Sequence, residues 1–380
     1  MNSTVVSVVQ GRWAPRFDGV AEAFAANLTE RGEVGASFAL IVGGDTVVDI
    51  WGGWRDGARS RPWRRDTLVN VWSSTKGVNA TCFAMLVDRG VIAYDDPVAR
   101  YWPEFGAAGK GEVTIAMLLS HQAGLSGFAT AAQVEDLYSG ETAAARLAAQ
   151  APLWPPGSGS GYHAISIGIL SAALFTRITG RSLRDFIAEE IARPHGLDLG
   201  LGLAADQADR AAEMLAPPTM GSAGIGALTS PQIAALANPS LDPHLPNTPA
   251  WRAAELSSAN GFTNAAALAG LYARLLRSWP ESCRLVSTPT IAEATRPRIE
   301  GVDLVLGLDA RWAAGFLVNS DELYGPNPEA FGHSGWGGSF AFADPAADVA
   351  MAYAMNQMSE GLRGDPRAMA LIQAGYAALG

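Results

Sequence analysis

The sequence predicts an α/β protein, more strictly α+β: an antiparallel β-sheet flanked by helices, with a largely helical domain inserted into it. Apolar, β-rich runs at both ends of the chain and helical periodicity through its middle carry that expectation. Ser37 to Val42 and Thr46 to Trp51 are two such runs around Gly43-Gly44-Asp45, the pattern of a hairpin. Leu304 to Leu308, Ala313 to Val318, Ser339 to Ala343 and Val349 to Ala354 read as C-terminal strands.

Helical spacing marks Phe17 to Arg31, closed by Gly32, and Lys76 to Arg89, stopped by Gly90. In the middle it marks Thr114 to Ser120, Ile165 to Thr179, Ser182 to Ala192 and Asn264 to Ser278. A last helix runs from Pro366 to Leu379. Pro- and Gly-rich connectors interrupt the middle at Pro152 to Gly161 and Ala216 to Pro249; the second is long enough for a functional loop or lid. The simplest closure pairs strands of residues 1–90 and 291–380 in one sheet domain. Residues 91–290 are then the mostly helical insertion, and the cleft between the two is the natural active site.

The chain has 380 residues, 48% of them hydrophobic, enough for a large core. Its net charge of −10 disfavours nucleic acid and anionic lipid as partners. The longest apolar stretch, Ile165 to Phe175, is too short to span a membrane. Met1 to Arg16 shows no signal-peptide pattern, and Cys82 and Cys283 suggest free thiols, so a cytoplasmic location is expected. No H-E-x-x-H or C-x-x-C occurs, so neither metal nor cofactor is expected. Oligomeric state is left open.

Of the 27 basic residues, Lys76 and Lys110 are the only lysines. Lysine can lose its proton when buried; arginine cannot. Lys110, between two glycines, reads as an exposed loop residue. Lys76 belongs to Ser73-Ser74-Thr75-Lys76, an S-x-x-K pattern. If a helix begins near Ser73, this spacing puts hydroxyl and amine on one face. Serine needs a base beside it to act as a nucleophile, and a desolvated lysine supplies one. A helix N-terminus also offers a backbone N–H to a developing oxyanion.

The surroundings extend the pattern. Ser73 to Gly77 continues through Val87-Asp88-Arg89-Gly90 and Tyr94-Asp95-Asp96-Pro97 to Tyr101-Trp102-Pro103-Glu104-Phe105. Met117-Leu118-Leu119-Ser120-His121-Gln122-Ala123-Gly124-Leu125 follows, then Trp154-Pro155-Pro156-Gly157 with Gly161-Tyr162, then Gly332-His333-Ser334-Gly335-Trp336-Gly337-Gly338. In this order the blocks resemble the serine β-lactamase-related, penicillin-recognising superfamily. The resemblance is closest to its class C branch and to the family VIII carboxylesterases. It implies a β-lactamase/transpeptidase-like fold and a serine hydrolase that cleaves small carboxylic esters through an acyl-enzyme. It makes Ser73 the nucleophile, Lys76 its base or activator and Tyr162 a proton shuttle. The second oxyanion N–H falls at Trp336, with His333 and Gly335 on the substrate side. A phenol beside amines is expected to have a lowered pKa.

Two departures bear on substrate. The β-lactamases place an amide two residues after their tyrosine, where this chain has Ala164, and a lysine where it has His333. The first would bind a substrate amide; the second would anchor a carboxylate. Neutral His333 is a poor carboxylate anchor, though it could donate a hydrogen bond or shuttle a proton. The alternatives are a β-lactamase, amidase, D-peptidase or acyl transferase of this fold, or a member with dead chemistry. No G-x-S-x-G occurs, so a Ser-His-Asp triad is not expected, and His121 reads as structural. Cys82 reads as buried packing.

Overall fold

A computed structural model describes residues 8–218 and 228–380. Residues 1–7, part of the Met1 to Arg16 stretch, and residues 219–227 of the long connector lie outside the described residues. Twelve strands are described: β1 (Val9–Trp13), β2 (Gly35–Val42), β3 (Asp45–Gly53), β4 (Val69–Asn70), β5 (Leu199–Leu201), β6 (Gly261–Thr263), β7 (Ile299–Val302), β8 (Asp309–Trp312), β9 (Leu317–Val318), β10 (Phe331–Ser334), β11 (Phe340–Asp344) and β12 (Val349–Met355). Nine form one antiparallel sheet in the order β1-β3-β2-β12-β11-β10-β9-β8-β7. Strands from the two ends of the chain therefore meet at β2–β12, where Phe38 pairs with Tyr353.

The helices that matter to the site are α1 (Asp18–Thr29), α2 (Thr75–Asp88), α3 (Ser166–Thr179), α4 (Ser230–Leu236), α5 (Ala265–Ala273) and α6 (Pro366–Leu379). Every residue of β12 is buried, because helices cover both faces of the sheet. That is why β12 reads Val-Ala-Met-Ala-Tyr-Ala-Met without polar alternation. Helices α6 and α1 pack on each other, and α5 packs on β12, β2 and β11. Thus α5, though within residues 91–290, lies on the sheet.

The hairpin at Gly43-Gly44 forms as expected. Both glycines have positive φ, 58° and 89°, as a turn matched to the strands' right-handed twist requires. Other elements differ. Leu304 to Leu308, expected as a strand, is the turn between β7 and β8. The Asp303 carboxylate accepts the N–H groups of Val305 and Leu306 (both 3.0 Å), and the Asp303 carbonyl accepts from Gly307 (2.8 Å). That local capping outcompetes a ladder. Ala313 to Val318 breaks at a tight turn closed by Ala313 N–H to Phe316 O (2.9 Å), leaving Leu317–Val318 as strand. The helix expected over Ser182 to Ala192 becomes Leu183–Phe186 followed by a π-helical turn, Ile187–Ala192. The helix expected to reach Ser278 ends at Ala273.

Lys110 is fully buried, not exposed. Its ammonium donates to the carbonyls of Ala107 (2.6 Å) and Gln150 (2.7 Å), tying two loops of the helical region together. Among the described residues no helix is long and apolar enough to cross a membrane.

Candidate active site

The site is assembled where α2 meets β10 and the loop before α3. Ser73 lies in a 3-10 turn, Trp72–Ser74, that runs directly into α2. Trp72 has φ of 44°, a left-handed conformation that costs an indole-bearing residue about 1–3 kcal/mol. Packing holds it there: its ring sits between Trp251 (5.1 Å) and Trp336 (5.0 Å). Thr75 locks the turn by donating to Trp72 O (2.6 Å) and accepting from Gly261 N–H (2.9 Å).

A second lock joins the turn to the sheet. Ser339 Oγ donates to Val71 O (2.8 Å) and lies 3.1 Å from Ser74 Oγ. Gly335 makes this approach feasible, since a Cβ there would fall 2.2 Å from Ser339 Oγ and 2.3 Å from Val71 O. Its N–H donates to Ser339 O (2.7 Å). Gly335, expected on the substrate side, therefore shapes the turn behind the pocket.

Ser73 Oγ lies 2.9 Å from Lys76 Nζ, one helical turn on, and accepts from the Tyr162 hydroxyl at 2.7 Å. Lys76 Nζ also donates to two main-chain carbonyls, Ala164 O (2.7 Å) and Ser258 O (3.0 Å), and lies 4.8 Å from the Tyr162 ring centroid. Burial alone pushes the lysine pKa well down. No acidic side chain accepts from it among the described residues.

Tyr162 is held from behind. Its N–H donates to Asp303 Oδ1 (2.9 Å), and its ring stacks on Trp312 at 5.7 Å and 9°. Trp312 Nε1 donates to the other oxygen of Asp303 (3.0 Å), so one buried carboxylate aligns both rings. The expected lowering of the phenol's pKa does not occur. Burial raises it, and the hydrogen bond to Ser73 only partly opposes that. The desolvated phenolate is disfavoured more than a neighbouring amine favours it, because the amine itself is driven toward neutrality.

His333 is buried on β10, its Nδ1 2.9 Å from Ser334 O. A carbonyl only accepts, so Nδ1 carries the proton and Nε2 presents a lone pair. Nε2 has no partner among the described residues. Burial, reinforced by Lys76, pushes the imidazole down to about 3. His333 is thus a neutral acceptor at the pocket, not the donor entertained from the sequence. Trp336 lines the same pocket; the N–H groups flanking its own, on Gly335 and Gly337, donate to Ser339 O (2.7 Å) and Gly361 O (3.1 Å). The pocket has a volume of about 320 Å³, and apart from Ser73, Tyr162 and His333 its walls are mainly leucines, Trp312 and Trp336.

His121 and His163 stand behind Tyr162 as structural groups. His121 Nδ1 accepts from His163 N–H (3.2 Å). His163 Nδ1 lies 2.6 Å from Gly161 O and its Nε2 accepts from Leu125 N–H (3.0 Å). Burial keeps both neutral, lowering His163 to about 4 and His121 well below its usual value. An unfolded histidine titrates near about 6.5, so below that pH the unfolded chain binds more protons than the folded one. Stability is then full above about 6.5 and falls as pH drops toward about 4, by up to about 1.4 kcal/mol per pH unit for each ring. The urea midpoint should fall between about pH 7 and about pH 5, less steeply in His163→Gln. An unchanged slope in that variant would contradict the assignment.

Asp303, Trp312 and Ser339 escaped the sequence reading. The one legible signal was an isolated acid, Asp303, opening an apolar run. Cys82 is buried on α2 with its thiol pKa raised by burial, consistent with packing.

Comparison with known proteins bears on this arrangement. The family model described as Beta-lactamase matches residues 20–375. Esterase/beta-lactamase LipL of Mycobacterium tuberculosis (strain ATCC 25618 / H37Rv) is 34% identical, over 92% of this chain and 83% of that protein. The crystal structure of a family VIII carboxylesterase superposes with a TM-score of 0.92 at 46% identity, covering 97% of this chain and 99% of that one. A penicillin-binding protein homologue from Caulobacter crescentus gives 0.92 at 43% identity, with the same coverage of 97% and 99%. The match spans both the sheet strands and the helical middle, and with it the turn of Ser73, the loop of Tyr162 and strand β10: the chain belongs to the Beta-lactamase family.

Proposed function

We propose that this protein is a carboxylesterase that cleaves small carboxylic esters through an acyl-enzyme on Ser73. The observation that carries the reading is the placement of Ser73 Oγ between Lys76 Nζ (2.9 Å) and Tyr162 Oη (2.7 Å) at the floor of an apolar pocket. A neutral Lys76 spends its two N–H bonds on Ala164 O and Ser258 O and turns its lone pair toward Ser73. Ser73 Oγ attacks the ester carbonyl carbon while its proton passes to Lys76. The N–H groups of Ser73 and Trp336 hold the oxyanion. The carbon–oxygen bond to the alcohol breaks, and the alkoxide takes a proton relayed through Tyr162 from Lys76. Water then repeats the sequence on the acyl-enzyme, releasing acid and restoring Ser73.

Ester over amide follows from what the pocket lacks. Ala164 offers no side-chain amide, and neutral His333 offers no cation for the carboxylate of a β-lactam. An alkoxide also leaves with less help than an amine. The similar LipL is named both an esterase and a β-lactamase, so the two activities belong in one assay. A fluorophosphonate should form its adduct on Ser73 and abolish hydrolysis of an aryl butyrate. The kcat/KM for that ester should exceed that for nitrocefin by on the order of 10²-fold or more, the scale on which missing polar partners discriminate. An adduct mapped to Ser334, or comparable values for the two substrates, would overturn the reading.

A further inference from the structure

Large apolar side chains on a protein surface are ordinary when scattered and informative when gathered. Among the described residues, nine are exposed. Six of them lie on the three segments that reach the Ser73 pocket: Ile233 and Leu236 of α4, Val302, Leu304 and Leu308 of the β7–β8 tip, and Leu362. Leu236, Leu308 and Leu362 also line the pocket, so the patch is continuous with the site.

The three segments are fastened to one another around the opening. Gln232 of α4 donates to Val305 O (3.3 Å), Arg363 donates to Asp309 O (2.9 Å), and Leu304 N–H donates to Ser160 O (2.8 Å) in the loop that carries Tyr162. The apolar groups are thus held outward by fixed backbone: Val302 is 64% exposed and Leu308 50%. Asp303 explains the arrangement locally. Its carboxylate closes the turn inward, which leaves Leu304 and Leu308 facing out while Leu306 lines the pocket.

The pocket itself is small. At about 30 Å³ per non-hydrogen atom, the share of one water in the liquid, its volume of about 320 Å³ holds about ten such atoms. An ester with a tail longer than about eight carbons overruns it. We infer that the site takes esters bearing one extended apolar tail, whose near end fills the pocket and whose far end lies along the leucine rim. This deepens the esterase reading and rests on it. Each methylene that leaves water raises kcat/KM by up to about fourfold, so selection up to about octanoate follows from the pocket and selection beyond it from the rim.

The test is a series of nitrophenyl esters from acetate to decanoate, with a second series extended on the alcohol side, all below their aggregation concentrations. In at least one series kcat/KM should keep rising past octanoate to decanoate, where the tail leaves the pocket for the rim. Ile233→Ser, Val302→Ser and Leu304→Ser combined should raise KM for decanoate about tenfold and leave acetate, which ends inside the pocket, within about twofold. None of these three residues lines the pocket, and none has a side chain in the hydrogen bonds that hold Ser73, Lys76 and Tyr162. A decline beyond octanoate in both series, or a decanoate KM untouched by the variant, would overturn the inference. So would a rate that jumps only above the aggregation concentration, which would assign the rim to a lipid surface. No hydrolysis even of acetate would instead sink the esterase reading.

Discussion

Replacing Lys76 by arginine should remove nearly as much activity as replacing it by alanine, about 10²–10⁴-fold in kcat/KM, the usual loss when a general base goes. Arginine keeps the charge but has no lone pair to offer near neutral pH. The surroundings of Lys76 favour the neutral amine. Burial lowers its pKa, and its near partners are two carbonyls, a serine and a phenol ring. A fixed cation there would face no counter-charge. Tyr162 does not compete for the role, because its raised pKa keeps the phenol protonated and donating to Ser73. The pH profile should accordingly carry an acidic limb, activity falling as Lys76 takes up a proton, and that limb should vanish from the residual rate of Lys76→Ala. Circular dichroism must first show Lys76→Arg folded, since a guanidinium is larger than the amine it replaces. A folded Lys76→Arg enzyme within a few-fold of the parent would show that Lys76 acts only as a charge.

The parts of this fold that could be read from sequence are those whose local signal and tertiary role agree. The Gly43-Gly44 turn needs positive φ and two glycines supply it, and the last helix has the bounds expected of it, Pro366–Leu379. Leu304 to Leu308 misled because composition alone suggested a strand, whereas a single carboxylate, Asp303, bends the backbone into a turn. Lys110 misled in the other direction. Flanking glycines suggest exposure, yet two carbonyls 2.6 and 2.7 Å away satisfy its ammonium inside the protein.

The site divides the same way. Side-chain identity marks Ser73, Lys76 and Tyr162, and the fold brings hydroxyls 89 residues apart to 2.7 Å. The carbonyls of Ala164 and Ser258 that position Lys76 leave no such mark, because any residue could supply them. The state of a side chain is equally hidden. Tyr162 and His333 were legible as residues, but the raised phenol and the acceptor face of the imidazole depend on burial and on one hydrogen bond to Ser334.

Removing Arg367 should destabilise the protein by about 3–5 kcal/mol, the usual cost of leaving a buried ion pair with one partner. Arg367 is 5% exposed and Glu33 2%. All five of its N–H donors are engaged. Nη1 donates to Glu33 Oε2 and Gln357 O (both 2.8 Å), Nη2 to Asp365 Oδ2 (2.8 Å) and Gly337 O (3.0 Å), and Nε to Asp365 Oδ1 (3.1 Å). Arg367→Ala strands two carboxylates, and Glu33 is already raised in pKa by burial even with the guanidinium beside it. A carboxyl whose folded pKa lies above its unfolded value contributes its stability at low pH and loses it as pH rises. The deficit of Arg367→Ala against the parent should therefore be largest near neutrality and shrink on acidification, as protonation removes the buried charge. Urea midpoints at unchanged m would read it. Arg367→Lys, with three donors in place of five, should fall between the two. The bond to Gly337 O adds an effect on catalysis, for that carbonyl belongs to the turn that presents Trp336 to the pocket. Under conditions where Arg367→Lys is fully folded, kcat should fall while Ser73 still takes the fluorophosphonate. A deficit below about 1 kcal/mol, or one that grows as the pH falls, would show that the network holds neither the fold nor the turn.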